Sequence, residues 1–164
     1  MPSQVKPIPK GYRSVTPYLT VDNAAGAIDF YKRAFHAQEV VRMDGPGGKI
    51  GHAELKIGDS MVMLADEMPN GGCQAPHTLH GTTSGIMLYV EDADAVFNQA
   101  VAAGAQVETP LANMFWGDRY GRLKDPFGHS WAVATHIEDV APAEMSKRMQ
   151  AAMAKMSQQS QGAH

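Results

Sequence analysis

His52 and Glu54 are the pair most able to do chemistry. They sit two apart within Ile50–Ile57, where Ala53, Leu55 and Ile57 alternate with polar residues. Period two on a strand puts His52 and Glu54 on one face. There Glu54 can serve as a general base and His52 as an acid or base. Arg122 and Lys124 repeat the spacing later in the chain. Their cations suit a substrate carboxylate or phosphonate. The plainer use of all four is a cross-sheet network, Glu with Lys and His with Arg, with a structural role. Trp116 follows Phe115 and precedes Gly117. Its ring can stack on a planar ligand or simply anchor its loop.

These side chains need elements to position them. Residues 1–13 carry three prolines, two lysines and an arginine, which predicts an extended arm. Ser14–Val21 alternates as a half-buried strand, with Val15, Leu19 and Val21 on one face and Thr16, Tyr18 and Thr20 on the other. Asp22 or Asn23 caps a helix over Ala24–Phe35, where Ala27, Ile28, Tyr31, Ala34 and Phe35 recur at helical spacing. Strands follow at Glu39–Met43, Ile50–Ile57 and Ser60–Ala65, with Gly58-Asp59 as a tight turn. The glycine- and proline-containing stretch 66–83 reads as a connecting loop. The order then begins again: a strand at Gly85–Val90, a helix capped by Asp92 and stopped by Gly104, then strands at Gln106–Leu111, Asp118–Lys124 and His129–Thr135.

The repeat is the strongest organisational signal. Leu19-Thr-Val-Asp-Asn-Ala aligns with Leu88-Tyr-Val-Glu-Asp-Ala at an offset of 69, and Gly51, Gly58 and Ser60 align with Gly121, Gly128 and Ser130 at an offset of 70. The period is too long for a solenoid and two copies are too few for a propeller, so a duplicated βαβββ module is predicted. One helix per four strands covers one sheet face only. Val15, Leu19, Val21, Ile86, Leu88 and Val90 fall on the helix side. Thr16, Tyr18, Thr20, Met87 and Tyr89 fall opposite, mixing apolar and hydroxyl groups as ligand pockets do. By the offset, Arg122 and Lys124 take the places of His52 and Glu54, and all four face one concave side.

Paired βαβββ modules resemble the vicinal oxygen chelate superfamily, which includes glyoxalase I, extradiol dioxygenases, fosfomycin-resistance enzymes and bleomycin-binding proteins. Pro17-Tyr-Leu-Thr-Val-Asp, Ala-Ile-Asp-Phe-Tyr-Lys-Arg-Ala-Phe35 and Gly117–Trp131 with its Asp125-Pro-Phe-Gly turn carry the likeness, and it looks closest to the glyoxalase/bleomycin-resistance-like branch labelled PhnB-like. The resemblance implies an α+β fold of two βαβββ modules forming a curved mixed sheet around a cavity, and a homodimer, sometimes with exchanged modules. Metal-using members hold an ion with His and Glu on the first and last strands of each module. The motif match puts Thr16, Val62, Gly85 and Ala132 at those positions, and none is a ligand for a divalent ion. No cofactor is expected. An atypically held divalent ion at His52 and Glu54 would need a third donor.

Composition sets outer bounds. The chain has 164 residues, 44% hydrophobic and 19% charged, with a net charge of −3, and is expected to be a soluble protein that binds neither nucleic acid nor membrane. The N-terminus lacks an apolar signal core, and the single Cys73 fits a reducing cytoplasm as a free thiol. His77 and His80 read as loop residues, His129 as a turn residue, and no GxSxG or phosphate-binding loop occurs. A helix is predicted from Asp139 or the Ala141-Pro142 step to about Met156, with Met145, Met149, Met153 and Met156 as a docking stripe, and 157–164 as a disordered tail. The organisation expected is therefore an arm at 1–13, a domain at 14–137 (modules at 14–66 and 84–137, linker at 67–83), and a helical tail at 138–164. The function expected is binding or sequestering a small aromatic or amphiphilic ligand at Tyr18, Thr20, His52, Glu54, Met87, Tyr89, Trp116, Arg122 and Lys124. The alternative is a glyoxalase-like lyase or isomerase with Glu54 as general base. A third reading is an inert dimerisation or regulatory module.

Overall fold

The computed structural model describes residues 5–161, with side chains through residue 158. The first module runs β1 (Tyr18–Val21), α1 (Ala24–Phe35), β2 (Gln38–Asp44), β3 (Ile50–Ile57) and β4 (Ser60–Asp66). One helical turn, α2 (Pro76–Leu79), interrupts the linker. The second module runs β5 (Gly85–Tyr89), α3 (Ala93–Ala103), β6 (Gln106–Asn113), β7 (Asp118–Lys124) and β8 (Ser130–His136), and α4 (Pro142–Gln161) follows. Both long module helices start on the expected caps. Asn23 Oδ1 accepts from the Gly26 N–H at 3.0 Å and Asp92 Oδ1 from the Ala95 N–H at 2.9 Å, each satisfying a donor the first turn leaves open.

The modules share one topology. Strand order is β1-β4-β3-β2 in one sheet and β5-β8-β7-β6 in the other. The first strand of each is parallel to the last, and the other pairs are antiparallel. The α+β architecture of two βαβββ modules with a C-terminal helix is thus the observed one, and the two sheets stay separate rather than closing into a barrel. Differences from the sequence expectation are local. β1 begins at Tyr18, not Ser14, because Pro17 has no N–H to give a ladder; only its carbonyl takes part, accepting from Met63 at 2.9 Å. Val15, expected on the helix side, is 84% exposed. The arm carries a turn at Lys10-Gly11 rather than staying extended. Helix α4 continues to Gln161, so 157–161 are helical where a disordered tail was expected, and 162–164 lie outside the described residues.

One core serves both modules. Leu19, Val21, Ala53, Leu55, Ile57, Val62 and Leu64 of the first sheet are buried with Ala27, Ile28, Tyr31 and Phe35 of α1, and the same cluster runs on into Phe97, Leu123, Phe127, Trp131 and Val133. Helix α1 packs on α3. The Phe35 and Trp131 rings meet at 4.7 Å and the Tyr31 and Trp131 rings at 5.3 Å. Each such side chain contributes about 1.5–3 kcal/mol through burial. Buried at this junction is the carboxyl of Asp125, from the Asp-Pro-Phe-Gly turn. Its Oδ2 accepts from the Tyr31 hydroxyl at 2.6 Å and Trp131 Nε1 at 2.9 Å; its Oδ1 accepts from the Phe127 and His129 amides, both at 2.9 Å. Burial and the facing carboxyl push the Tyr31 phenol well above its usual range, so it stays a donor. Gly128 closes the turn at φ 88°, and an added Cβ would meet Pro76 at 2.7 Å, so only glycine fits.

Replacing Tyr31 with Phe is expected to cost about 1–3 kcal/mol, since one buried donor to Asp125 disappears. Asp125→Ala strands several buried donors and is expected to cost at least about 3 kcal/mol. Urea unfolding of the two single variants and the double variant checks this, with the double variant costing less than the sum because the pair is coupled.

Candidate functional site

On the first sheet, the face away from α1 carries a continuous chain of hydrogen bonds. Tyr18 Oη lies 2.9 Å from His52 Nδ1, and His52 Nε2 lies 3.1 Å from Glu54 Oε1. The Tyr12 hydroxyl donates to Glu54 Oε2. Register explains the assembly. β3 alternation puts His52 and Glu54 on this face, and the β1–β4–β3 pairing Tyr18↔Met63↔Glu54 brings the Tyr18 side chain beside them. The Tyr18 ring stands edge-on to His52, centroids 5.5 Å apart, and is 56% exposed. The Tyr12 hydrogen bond, then that of His52, holds the Glu54 carboxyl below its ordinary value of 4.5. The same bond, then burial and the Glu54 charge, push the Tyr12 phenol up to about 12. A hollow of about 640 Å³ adjoins this face, bounded by Tyr18 and Thr20 on the sheet, by Cys73, Pro76 and Leu79 of the linker, and by His129.

The second sheet carries two clusters on the equivalent face. At one end, Arg122 and Lys124 reach Glu108 at 3.5 and 3.3 Å. The Arg122 guanidinium donates to Ser130 Oγ at 2.9 Å, and Ser130 Oγ donates to Glu108 Oε2 at 3.1 Å. At the other end, buried Asp118 accepts from Tyr89 Oη and Trp116 Nε1, both at 3.0 Å, and pairs with His136 Nδ1 at 2.8 Å, whose Nε2 meets Asp139 at 2.9 Å. Burial pushes the Asp118 carboxyl up, but bonds from His136, Tyr89 and Trp116 outweigh it and leave it below its ordinary value. Bonds to Asp139 and Asp118 raise His136.

Arg122 and Lys124 line a hollow of about 380 Å³ on the second sheet, and neither His52 nor Glu54 lines it or the hollow beside Tyr18. The offset-based equivalence also shifts. Glu54 pairs with Met63, which pairs with Tyr18, whereas Arg122 pairs with Ala132, which pairs with Met87. Glu54 and Arg122 therefore occupy the same place in their modules, because the turn joining β7 to β8 is longer than that joining β3 to β4. The same register makes Met63 the counterpart of Ala132. Val62 instead belongs to the core at 4% exposure. Trp116 is an anchor: its N–H is committed to Asp118 and its ring is edge-on to Phe115 and Tyr120 at 5.0 and 5.5 Å. Met87 and Tyr89 are exposed on the second sheet.

Three participants were missed. Tyr12 comes from the arm, 42 residues before Glu54, with no periodic signal. Glu108 sits at a β-bulge between Val107↔Leu123 and Thr109↔Arg122, and bulges re-aim side chains in a way alternation cannot show. Asp118 opens a predicted strand in sequence but is an acceptor for three side chains. His77 pairs with Asp22 at 2.8 Å and His129 reaches the Thr20 carbonyl at 2.9 Å, both structural uses. His52 and Glu54 are two donors, and no group of three or more His, Cys, Asp or Glu side chains that could hold a metal ion occurs among the described residues.

The lowered Glu54 value predicts a pH signature. Its stabilising contribution is fully present above 4.5 and is lost as pH falls through the lower folded value. Tyr12→Phe is expected to raise the Glu54 titration toward 4.5, measured by carboxyl NMR. It should destabilise the protein above that pH while the two proteins converge in stronger acid.

Comparison with known proteins agrees with this fold. Residues 13–133 match the model of the Glyoxalase/Bleomycin resistance protein/Dioxygenase superfamily. An uncharacterised protein of Mycobacterium tuberculosis is 45% identical over 139 residues, 83% of this chain and 82% of that protein. The crystal structure of TioX from Micromonospora sp. ML1 superposes with a TM-score of 0.62 at 28% identity, over 76% of this chain and 99% of TioX. The PhnB protein from Bacillus cereus, at 21% identity and a TM-score of 0.58, covers 75% of this chain and 99% of its own and shares the fold.

Proposed function

Because this chain belongs to the glyoxalase/bleomycin resistance protein/dioxygenase superfamily, we propose that it is a small-molecule-binding protein that holds an aromatic or amphiphilic ligand against the first sheet without a metal. The observation that carries this reading is Tyr18. Its ring is exposed at the edge of a hollow of about 640 Å³, fixed upright by His52, with the apolar Leu79 and Pro76 of the linker opposite. A rigid aromatic wall of this kind favours stacking by planar ligands.

The hydrogen-bonded chain through His52 and Glu54 favours a second reading, a lyase or isomerase using Glu54 as general base. Two donors hold that carboxylate in its charged form and lower its pKa, which makes it a poor proton acceptor near neutrality. Binding is therefore the better supported use. Association of two copies belongs to the same proposal. Met87 and Tyr89 on the second sheet, and Met149 and Met153 on α4, are exposed in the single chain, and light scattering should report twice 17.7 kDa. No helix among the described residues is long and apolar enough to cross a membrane.

The neutral fluorophore N-phenylnaphthylamine should bind and raise the unfolding temperature. Tyr18→Ala should weaken it about tenfold, the worth of one stacking contact, and EDTA should leave binding unchanged. Absence of binding, or its loss in EDTA, overturns the proposal.

A further inference from the structure

We infer that the hollow on the second sheet is an anion subsite, so that the ligand class is an aromatic anion whose carboxylate, sulfonate or phosphate end enters there; this rests on the proposed binding at Tyr18. The hollow has a volume of about 380 Å³. Arg122, Lys124 and Ser130 form its floor, and Thr82 and Ser84 of the linker lie on its wall. Two cations meet one carboxylate, Glu108. The contacts of 3.5 and 3.3 Å are longer than the ~2.7–2.9 Å of a charge-assisted hydrogen bond. Glu108 therefore neutralises one charge without engaging either cation closely. Arg122 and Lys124 are each 46% exposed at the side chain, which leaves donors facing the hollow. A guanidinium beside an ammonium recognises a planar or tetrahedral oxyanion.

Two further observations assign the aromatic part. The hollow beside Tyr18 and the one beside Arg122 share a wall: Pro76, Gly81, Thr82 and Thr83 line both. One ligand can thus lay its ring against Tyr18 and send its charged end past Thr82 to Arg122. Orientation follows from the register, because the place of Arg122 in the second module is taken by Glu54 in the first. A carboxylate there repels the anionic end and sends it to the second sheet. Glu108 occupies the position of an incoming anion, so it competes with the ligand for Arg122 and Lys124.

The test compares anilinonaphthalene sulfonate with neutral N-phenylnaphthylamine by fluorescence titration at low ionic strength. The sulfonate should bind about tenfold more tightly. Arg122→Gln with Lys124→Gln should remove that advantage and leave the neutral dye unchanged. Glu108→Gln should tighten the sulfonate and not the neutral dye, whereas a purely structural ion pair predicts no gain. Thermal unfolding of each variant checks that it is folded. Equal binding of the two dyes, unaffected by these substitutions, overturns the anion subsite and leaves the binding function standing. If neither dye binds, side-chain NMR of Arg122 with added benzoate separates the readings. A shift keeps the anion subsite and ends the aromatic one; no shift ends both.

Discussion

The carboxyl group of Asp125 is the point on which the two halves of this molecule meet. It lies at the turn before β8, yet one of its four donors, the Tyr31 hydroxyl, comes from the helix of the other module. The rings around it, from Tyr31, Phe35, Phe127 and Trp131, are packed at centroid distances of 4.7 to 6.5 Å. A buried carboxyl is costly unless every lone pair has a partner, so the bonds fix the turn, the helix and the last strand in one arrangement. The helices α1 and α3 are thereby held against each other, and the faces of both sheets away from these helices are left to solvent and the linker.

Duplication supplies two equal frames, and the chemistry comes from how their matching positions have diverged. At the same point in the register one module has Glu54 and the other Arg122. At the same bulge one has Val40 and the other Glu108. The first sheet becomes an aromatic and hydrogen-bonded face, and the second a cationic one with an internal counter-ion. The linker, folded around α2, walls both hollows. Its position follows from β4 and β5 being joined across the module boundary, with His129 reaching back to the Thr20 carbonyl to hold the join.

Helix α4 lies outside this frame. Its ties to the domain include a two-pronged contact from Arg148 to Glu138 at 2.7 and 2.8 Å, beside a strap whose path requires Gly117: a Cβ there would lie 2.1 Å from the Glu138 carbonyl oxygen. The methionine periodicity predicted the helix correctly, but the stripe is exposed in the single chain at Met149 and Met153.

Much of the frame was legible in the residues themselves. Helical spacing and an Asx cap placed α1 over Ala24–Phe35, alternation placed β3 over Ile50–Ile57, and the recurrence of Leu-x-Val with matching glycines showed two modules. These are local properties, set by period and turn chemistry within a few residues. The pairing of Tyr18 with His52 and Glu54 was half legible, because alternation gives the face of a strand but not its neighbour. What only the tertiary structure decided is longer in range: that Glu54, not His52, matches Arg122, that Val62 turns inward, that Tyr12 closes on Glu54, and that the two sheets keep separate faces. Turn length sets the first two by shifting register, and a shift of one residue exchanges the faces of a strand. The last two depend on contacts between segments tens of residues apart, whose geometry exists only once the shared core has formed around Asp125.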